Sequence, residues 1–165
     1  MLYYQSIQWL TKSDKNIIKK IKNNIKLSLN HSFINCSLSE EDEIYLAKYL
    51  FQNKKKIENN DLKKVNLNII SASNISFMTR SIFLNCLRNH LYVNINSFEK
   101  YNLFESFISY QSKKKNLKEK SLTFLALDTL DLVKFKKSKY IKEYLANLKK
   151  IIQDLLKDSN TIILQ

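Results

Sequence analysis

The sequence predicts an α+β fold, mainly α, in which a small β-containing N-terminal domain precedes a helical-bundle domain. Three observations predict it. Strand-like alternation comes early, where Ile25, Leu27 and Leu29 alternate with Lys26, Ser28 and Asn30. Apolar residues at helical spacing come late, from about residue 74 onward. Hydrophobic residues make up 44% of the 165 and aromatics 12%, enough to bury a core without disulfide or metal support. The boundaries that follow are 1–60 for the β-rich domain, with a short helix at 39–53, then 61–73 for a connector and 74–160 for the helical domain.

Taken in order, Tyr3, Tyr4, Ile7, Trp9 and Leu10 form an apolar opening segment suited to docking on the domain, and Phe33-Ile34 extends the strand pattern. Ser37 and Glu40 have capping-box spacing, and Glu41, Asp42 and Glu43 add the acid that favours a helix N-terminus. The helix they open places Ile44, Ala47 and Phe51 on one face and Leu46 with Leu50 on an adjoining one, ending near Lys54-Lys55-Lys56. Val65, Leu67 and Ile69 alternate in a strand or extended connector. Ser73 or Asn74 caps a helix running to about Leu91, with Phe77, Leu84, Leu87 and Leu91 on one stripe. Asn96 with Glu99 opens another through Tyr110, aligning Phe98, Tyr101, Phe104 and Ile108, and Lys113–Asn116 is a loop.

From Leu117 to about Leu156 the chain reads as one long helix or two nearly continuous ones. Its second half carries a clean stripe at Ile141, Leu145, Leu148, Ile152 and Leu155. Its first half, including Leu122, Phe124, Leu125, Leu127, Leu130 and Phe135, is apolar on more than one face. Such a segment is either the central helix of its own bundle or a surface covered by a partner subunit.

The chain contains no Gly and no Pro, so Asn and Ser must supply the turns; Asn59-Asn60, Asn66-Leu67-Asn68 and Asn94-Ile95-Asn96 are the natural punctuation. Enrichment in Lys, Asn, Ile, Phe and Tyr is also what coding drift in an A+T-rich genome produces. Lys and Arg outnumber Asp and Glu 28 to 15, which favours polyanions or acidic proteins as partners. Arg occurs only at Arg80 and Arg88, so specific nucleic-acid readout is disfavoured and any DNA contact is indirect or nonspecific. Cys36 and Cys86 lack metal-ligand spacing and suit a reducing compartment. No secretory leader and no membrane span is expected.

Catalytic chemistry finds little to work with. His31 and His90 stand beside no evident nucleophile or carboxylate, and the absence of Gly excludes phosphate loops and dinucleotide fingerprints. Asp128 and Asp131, three apart with Lys134 following, fit a solvated ion-pair face better than a cation site. The expectation is no catalytic residue, no cofactor and no metal.

Three stretches together resemble the GINS family. Ile44-Tyr45-Leu46-Ala47-Lys48-Tyr49-Leu50-Phe51, followed by Asn53-Lys54-Lys55-Lys56-Ile57, looks like its Leu-Ala helix and basic turn. Leu127-Asp128-Thr129-Leu130 with Phe135-Lys136-Lys137-Ser138 and Tyr140 is similar to its acidic-then-basic last helix. Tyr3-Tyr4 with Ile7 and Leu10 resembles a paired-tyrosine opening. All three occur in family order, closest to the PSF-three branch. Tyr45 stands where the family has Trp, Glu41-Asp42-Glu43 where it has Pro, and Asn or Ser where its loops have Gly.

The resemblance implies a nuclear, non-catalytic scaffold subunit of a heterotetramer with three other GINS subunits, joined to the MCM ring and Cdc-forty-five in the replicative helicase. It implies domain packing through Tyr3, Tyr4, Leu46, Ala47, Leu50 and Phe51. It also implies subunit contact through Phe77, Leu84, Leu87, Phe104, Ile108, Leu127, Leu130, Phe135, Ile141, Leu145 and Leu148. The other reading is a basic RNA-associated protein of an organellar or reduced ribosome, against which the low Gly and Arg content weighs.

Overall fold

The computed structural model describes residues 11–12, 16–24, 36–58, 62–117, 121–127, 138–157 and 161–164. They form a mixed α/β chain, richer in helix than in strand. In order the elements are β1 (Thr11–Lys12), α1 (Ile17–Asn23), β2 (Cys36–Ser37), α2 (Glu40–Gln52), α3 (Lys54–Ile57), β3 (Lys63–Ser71), α4 (Ser76–Arg88), β4 (Leu91–Glu99), α5 (Leu103–Lys114), β5 (Ser121–Ala126), α6 (Ser138–Leu156) and β6 (Thr161–Leu164). Two compact units result, one within Met1–Lys64 and Phe77–Val93, the other within Val65–Ser76 and Asn94–Gln165.

In the first unit, β1 and β2 pair in parallel, setting Thr11 beside Cys36 and Lys12 beside Ser37. Ser37 is thus strand, and the cap of α2 is Ser39, whose hydroxyl accepts from the Asp42 N–H at 3.2 Å ahead of four acids in the first turn. The expected cap was two residues early because both serines precede the same acidic run. Leu46, Ala47 and Leu50 form the buried face of α2. Ile44, expected on that face, is exposed, because the buried arc centres on Leu46 and Leu50. The Phe51 ring meets Phe83 of α4 edge-on at 5.5 Å, and Phe83 meets Tyr92 at 5.8 Å. Arg88, at the end of α4, donates to Glu43 Oε1 at 2.7 Å and ties α4 to α2. The strand expected at 25–29, its continuation at Phe33-Ile34, and Tyr3 and Tyr4 lie outside the described residues.

The second unit carries the main departure from expectation. Its sheet runs β4-β3-β5-β6, and the stretch read as a strand or extended connector is β3, an interior strand. β3 pairs with β5 in parallel, Asn66 opposite Ser121 through Ser71 opposite Ala126, and β5 pairs in parallel with β6. Asn94 and Asn96 donate their amides to Asn66 and Asn68 respectively, so partners rise together along β4 and β3 as they do between parallel strands. Strands therefore alternate with helices where 74–160 was expected to be a helical bundle. The helix expected from Asn96 is strand to Glu99; Asn102 caps α5 instead, accepting from the Glu105 N–H at 2.9 Å. The long helix expected from Leu117 contains β5, and α6 begins at Ser138.

Apolar burial on more than one face marks an interior parallel strand as well as a buried helix. Leu67 and Ile69 are buried on one side of β3, while Ile70 on the other joins Phe98 and Leu125. Against that trio pack Leu103, Phe107 and Tyr110 of α5 and Ile151 and Leu155 of α6. Toward the amino ends of the strands the same face turns polar. Asn68, with no exposed surface, accepts from Asn96 and donates to Ser121 Oγ, both at 3.0 Å, and Tyr110 meets Thr123 Oγ1 at 3.3 Å. Both Asn pairs expected to make turns are rungs of this ladder, because interstrand amide bonds compensate for Asn's poor strand propensity.

Candidate functional site

Lys100 to Asn102 join the carboxyl end of β4 to α5, and residues 127–137 lead from the carboxyl end of β5 to α6. The first is pinned by Ser106, whose hydroxyl accepts from the Lys100 N–H at 2.9 Å and donates to the Ser71 carbonyl at 2.7 Å. That places Tyr101, Asn102 and Phe104 at the upper rim of the sheet. α6 has 19 residues to the 12 of α5, so at 1.5 Å per residue it is longer by about 10 Å. Its fully buried anchors are Ile151 and Leu155; from Tyr140 to Asn147 no described residue of α6 is buried. The N-terminal half of α6 is therefore only partly covered, with Ile141 and Tyr144 half-buried and Tyr140 and Leu145 exposed.

Between that half-helix and the start of α5 lies an open groove of about 470 Å³. Tyr101, Phe104, Tyr140 and Tyr144 supply its rings, Leu103, Leu148 and Ile151 its floor, and Glu143 the one carboxylate among the described residues that line it. Tyr101 is 91% exposed, Phe104 45% and Leu145, beside the groove on α6, 49%. Open parallel sheets characteristically take ligands at the carboxyl ends of their strands. The chemistry available here is apolar and aromatic contact with a few polar anchors. Among the described residues no group of three His, Cys, Asp or Glu gathers to hold a metal ion, and no helix is long and apolar enough to cross a membrane.

The residues expected at subunit contacts divide into three groups. Leu84 and Leu87 are buried within the first unit, and Leu127 packs against the core of the second; these are core residues of this chain. Phe77, Phe104, Ile108 and Leu145 are exposed, with Ile141 and Leu148 partly buried. Leu130 and Phe135 lie outside the described residues. Of the residues expected at domain packing, Leu46, Ala47 and Leu50 are buried and Phe51 is half-buried against Phe83. Sequence reasoning missed Tyr101, Tyr140 and Tyr144 as parts of one surface. Their signal was present, since Tyr140, Tyr144, Leu148 and Ile151 follow helical spacing, but their pairing with Tyr101 needed the sheet.

Both thiols are held protonated. Burial pushes Cys36 above its ordinary value, against the opposing pull of the Arg88 charge and a backbone hydrogen bond, and burial alone raises Cys86. Neither has the electropositive, accessible setting of a reactive cysteine. Comparison with known families, curated proteins and solved structures finds no match to this chain.

Proposed function

We propose that this chain is a non-catalytic scaffold subunit that holds another protein against the exposed faces of α5 and α6, and that the assembly it serves is the nuclear GINS heterotetramer of the replicative helicase. The observation that carries the scaffold role is the aromatic groove: four rings and a half-helix with no buried described residue from Tyr140 to Asn147 line the surface of a unit that has its own hydrophobic core. Clustered exposed apolar surface of this kind marks interaction sites. The name of the assembly rests on something separate, the order of the GINS-like segments in the sequence; the parallel sheet is a departure from the bundle that the resemblance implied.

Two experiments separate the parts. Co-expression with the three other GINS subunits tests the assembly: a stable stoichiometric complex is the expected result, and failure to co-purify refutes the GINS assignment. Phe104→Asp combined with Leu145→Asp tests the scaffold role, and it is expected to weaken partner retention at least about tenfold with the thermal midpoint unchanged. Undiminished retention refutes the groove as the contact surface. RNA binding that falls steeply with salt and survives the double substitution would favour the basic RNA-associated reading.

A further inference from the structure

From the rings and the carboxylate that line the groove we infer that what it holds is a methylated lysine side chain of the partner protein. The inference rests on the scaffold reading and adds the chemistry of the contact. Tyr101 and Phe104 lie either side of Asn102, the cap of α5, while Tyr140 and Tyr144 are one turn apart on α6, and all four border the same space of about 470 Å³. One turn of helix sets side chains about 5–6 Å apart on a single face. An aromatic ring presents a negative face, so rings bordering one space attract a cation that comes within about 6 Å of them.

The charge of the lining selects the same occupant. Glu143 is the one carboxylate among the described residues that line the groove, and no Lys or Arg is among them; the exposed Lys142, Lys149 and Lys150 of α6 lie outside the lining. An anion would meet ring faces and a carboxylate, and a neutral apolar group would cover Glu143 without neutralising it. A bare lysine ammonium brings three N–H donors to satisfy, and Asn102 Oδ1, one of the acceptors in the lining, already takes the Glu105 N–H. Methylation replaces those donors with methyl groups and keeps the charge, which is the form of ammonium that aromatic rings hold best. The formal charge of +13 on the chain opposes a free cation at long range. A side chain carried on a protein offsets that repulsion with the contacts its backbone makes along α5 and α6, which a small quaternary ammonium lacks.

The test uses the full chain and three short peptides alike except at one central position, which carries trimethyllysine, unmodified lysine, or the neutral isostere with carbon in place of the ammonium nitrogen. Fluorescence anisotropy should show the trimethyllysine peptide binding at least about tenfold more tightly than either of the others. Glu143→Gln and Tyr101→Leu, both at exposed positions, should each weaken it at least about threefold with the thermal midpoint unchanged, and Tyr101→Phe should restore it. Equal affinity for the neutral isostere overturns the proposal, as does binding untouched by Glu143→Gln and Tyr101→Leu. Choline bound as tightly as the trimethyllysine peptide overturns the assignment to a protein side chain. If partner retention is lost in Phe104→Asp/Leu145→Asp yet the three peptides bind alike, the methyl-lysine chemistry fails and the scaffold reading stands; if retention is insensitive to that pair, the scaffold reading itself fails.

Discussion

Glu43 and Arg88 show what single residues do here that the sequence leaves invisible. They are 45 positions apart, in α2 and α4, and the guanidinium side chain is 3% exposed while the carboxylate side chain is 34% exposed. Arg88 was legible only as one of two arginines; its role depends on a tertiary neighbour that no local pattern announces. Glu43→Gln removes the carboxylate that neutralises the buried Arg88 cation and should cost about 2 kcal/mol, less than breaking a fully buried pair because water still reaches the carboxylate. Glu43→Gln with Arg88→Met should recover most of that loss in urea denaturation, and a double variant as unstable as the sum of both singles would contradict the pairing. His90 is equally unannounced. It turns α4 into β4 at φ 56°, a left-handed position where a chain with Gly would use it. With Gly absent the position falls to whichever residue precedes the strand, and composition had pointed to Asn.

At the scale of elements, helices with their own caps were legible and interior strands less so. α2 and its acidic first turn, and the Asn74 side chain that accepts from the Ser76 N–H at the start of α4, follow from local chemistry. β5 did not, because Leu122 to Leu127 is short and largely apolar, and such a run has the same periodicity in a buried strand as in a buried helix. The Val65-Leu67-Ile69 alternation of β3 was legible as a strand or extended connector, whereas β4 was hidden by its asparagines, which signal turns until a neighbouring strand supplies amide partners. Asn68→Ala tests this distinction: as a buried rung between β4 and β5 it should lower stability by about 2 kcal/mol. A surface turn would lose under about 0.5 kcal/mol, and that smaller value in urea denaturation would contradict the ladder. The groove was half legible for the same reason, its α6 stripe visible and its α5 wall misplaced by a helix start expected at Asn96 rather than Leu103.

For the whole molecule, the buried acids set an alkaline limit. Cys36, Cys86 and Tyr92 are all held above their ordinary values, chiefly by burial, with Glu58 adding to the shift of Tyr92. The folded chain therefore keeps protons that the unfolded chain releases. Stability is unaffected below the ordinary thiol range and should fall as pH climbs past about 9. Thermal midpoints measured from pH 7 to 10.5 check the direction, and a midpoint that rises across about 9 to 10.5 would contradict the burial of these groups. The account as a whole depends on the α5–α6 face being occupied by another protein. Photo-crosslinking from a benzoylphenylalanine placed at Phe104 in the full chain, in its own cells, tests that most directly. It should yield a discrete adduct with one partner, while the same probe at exposed Gln111, near the far end of α5, yields little. No adduct from position 104, or an equal scatter of adducts from both positions, would contradict it.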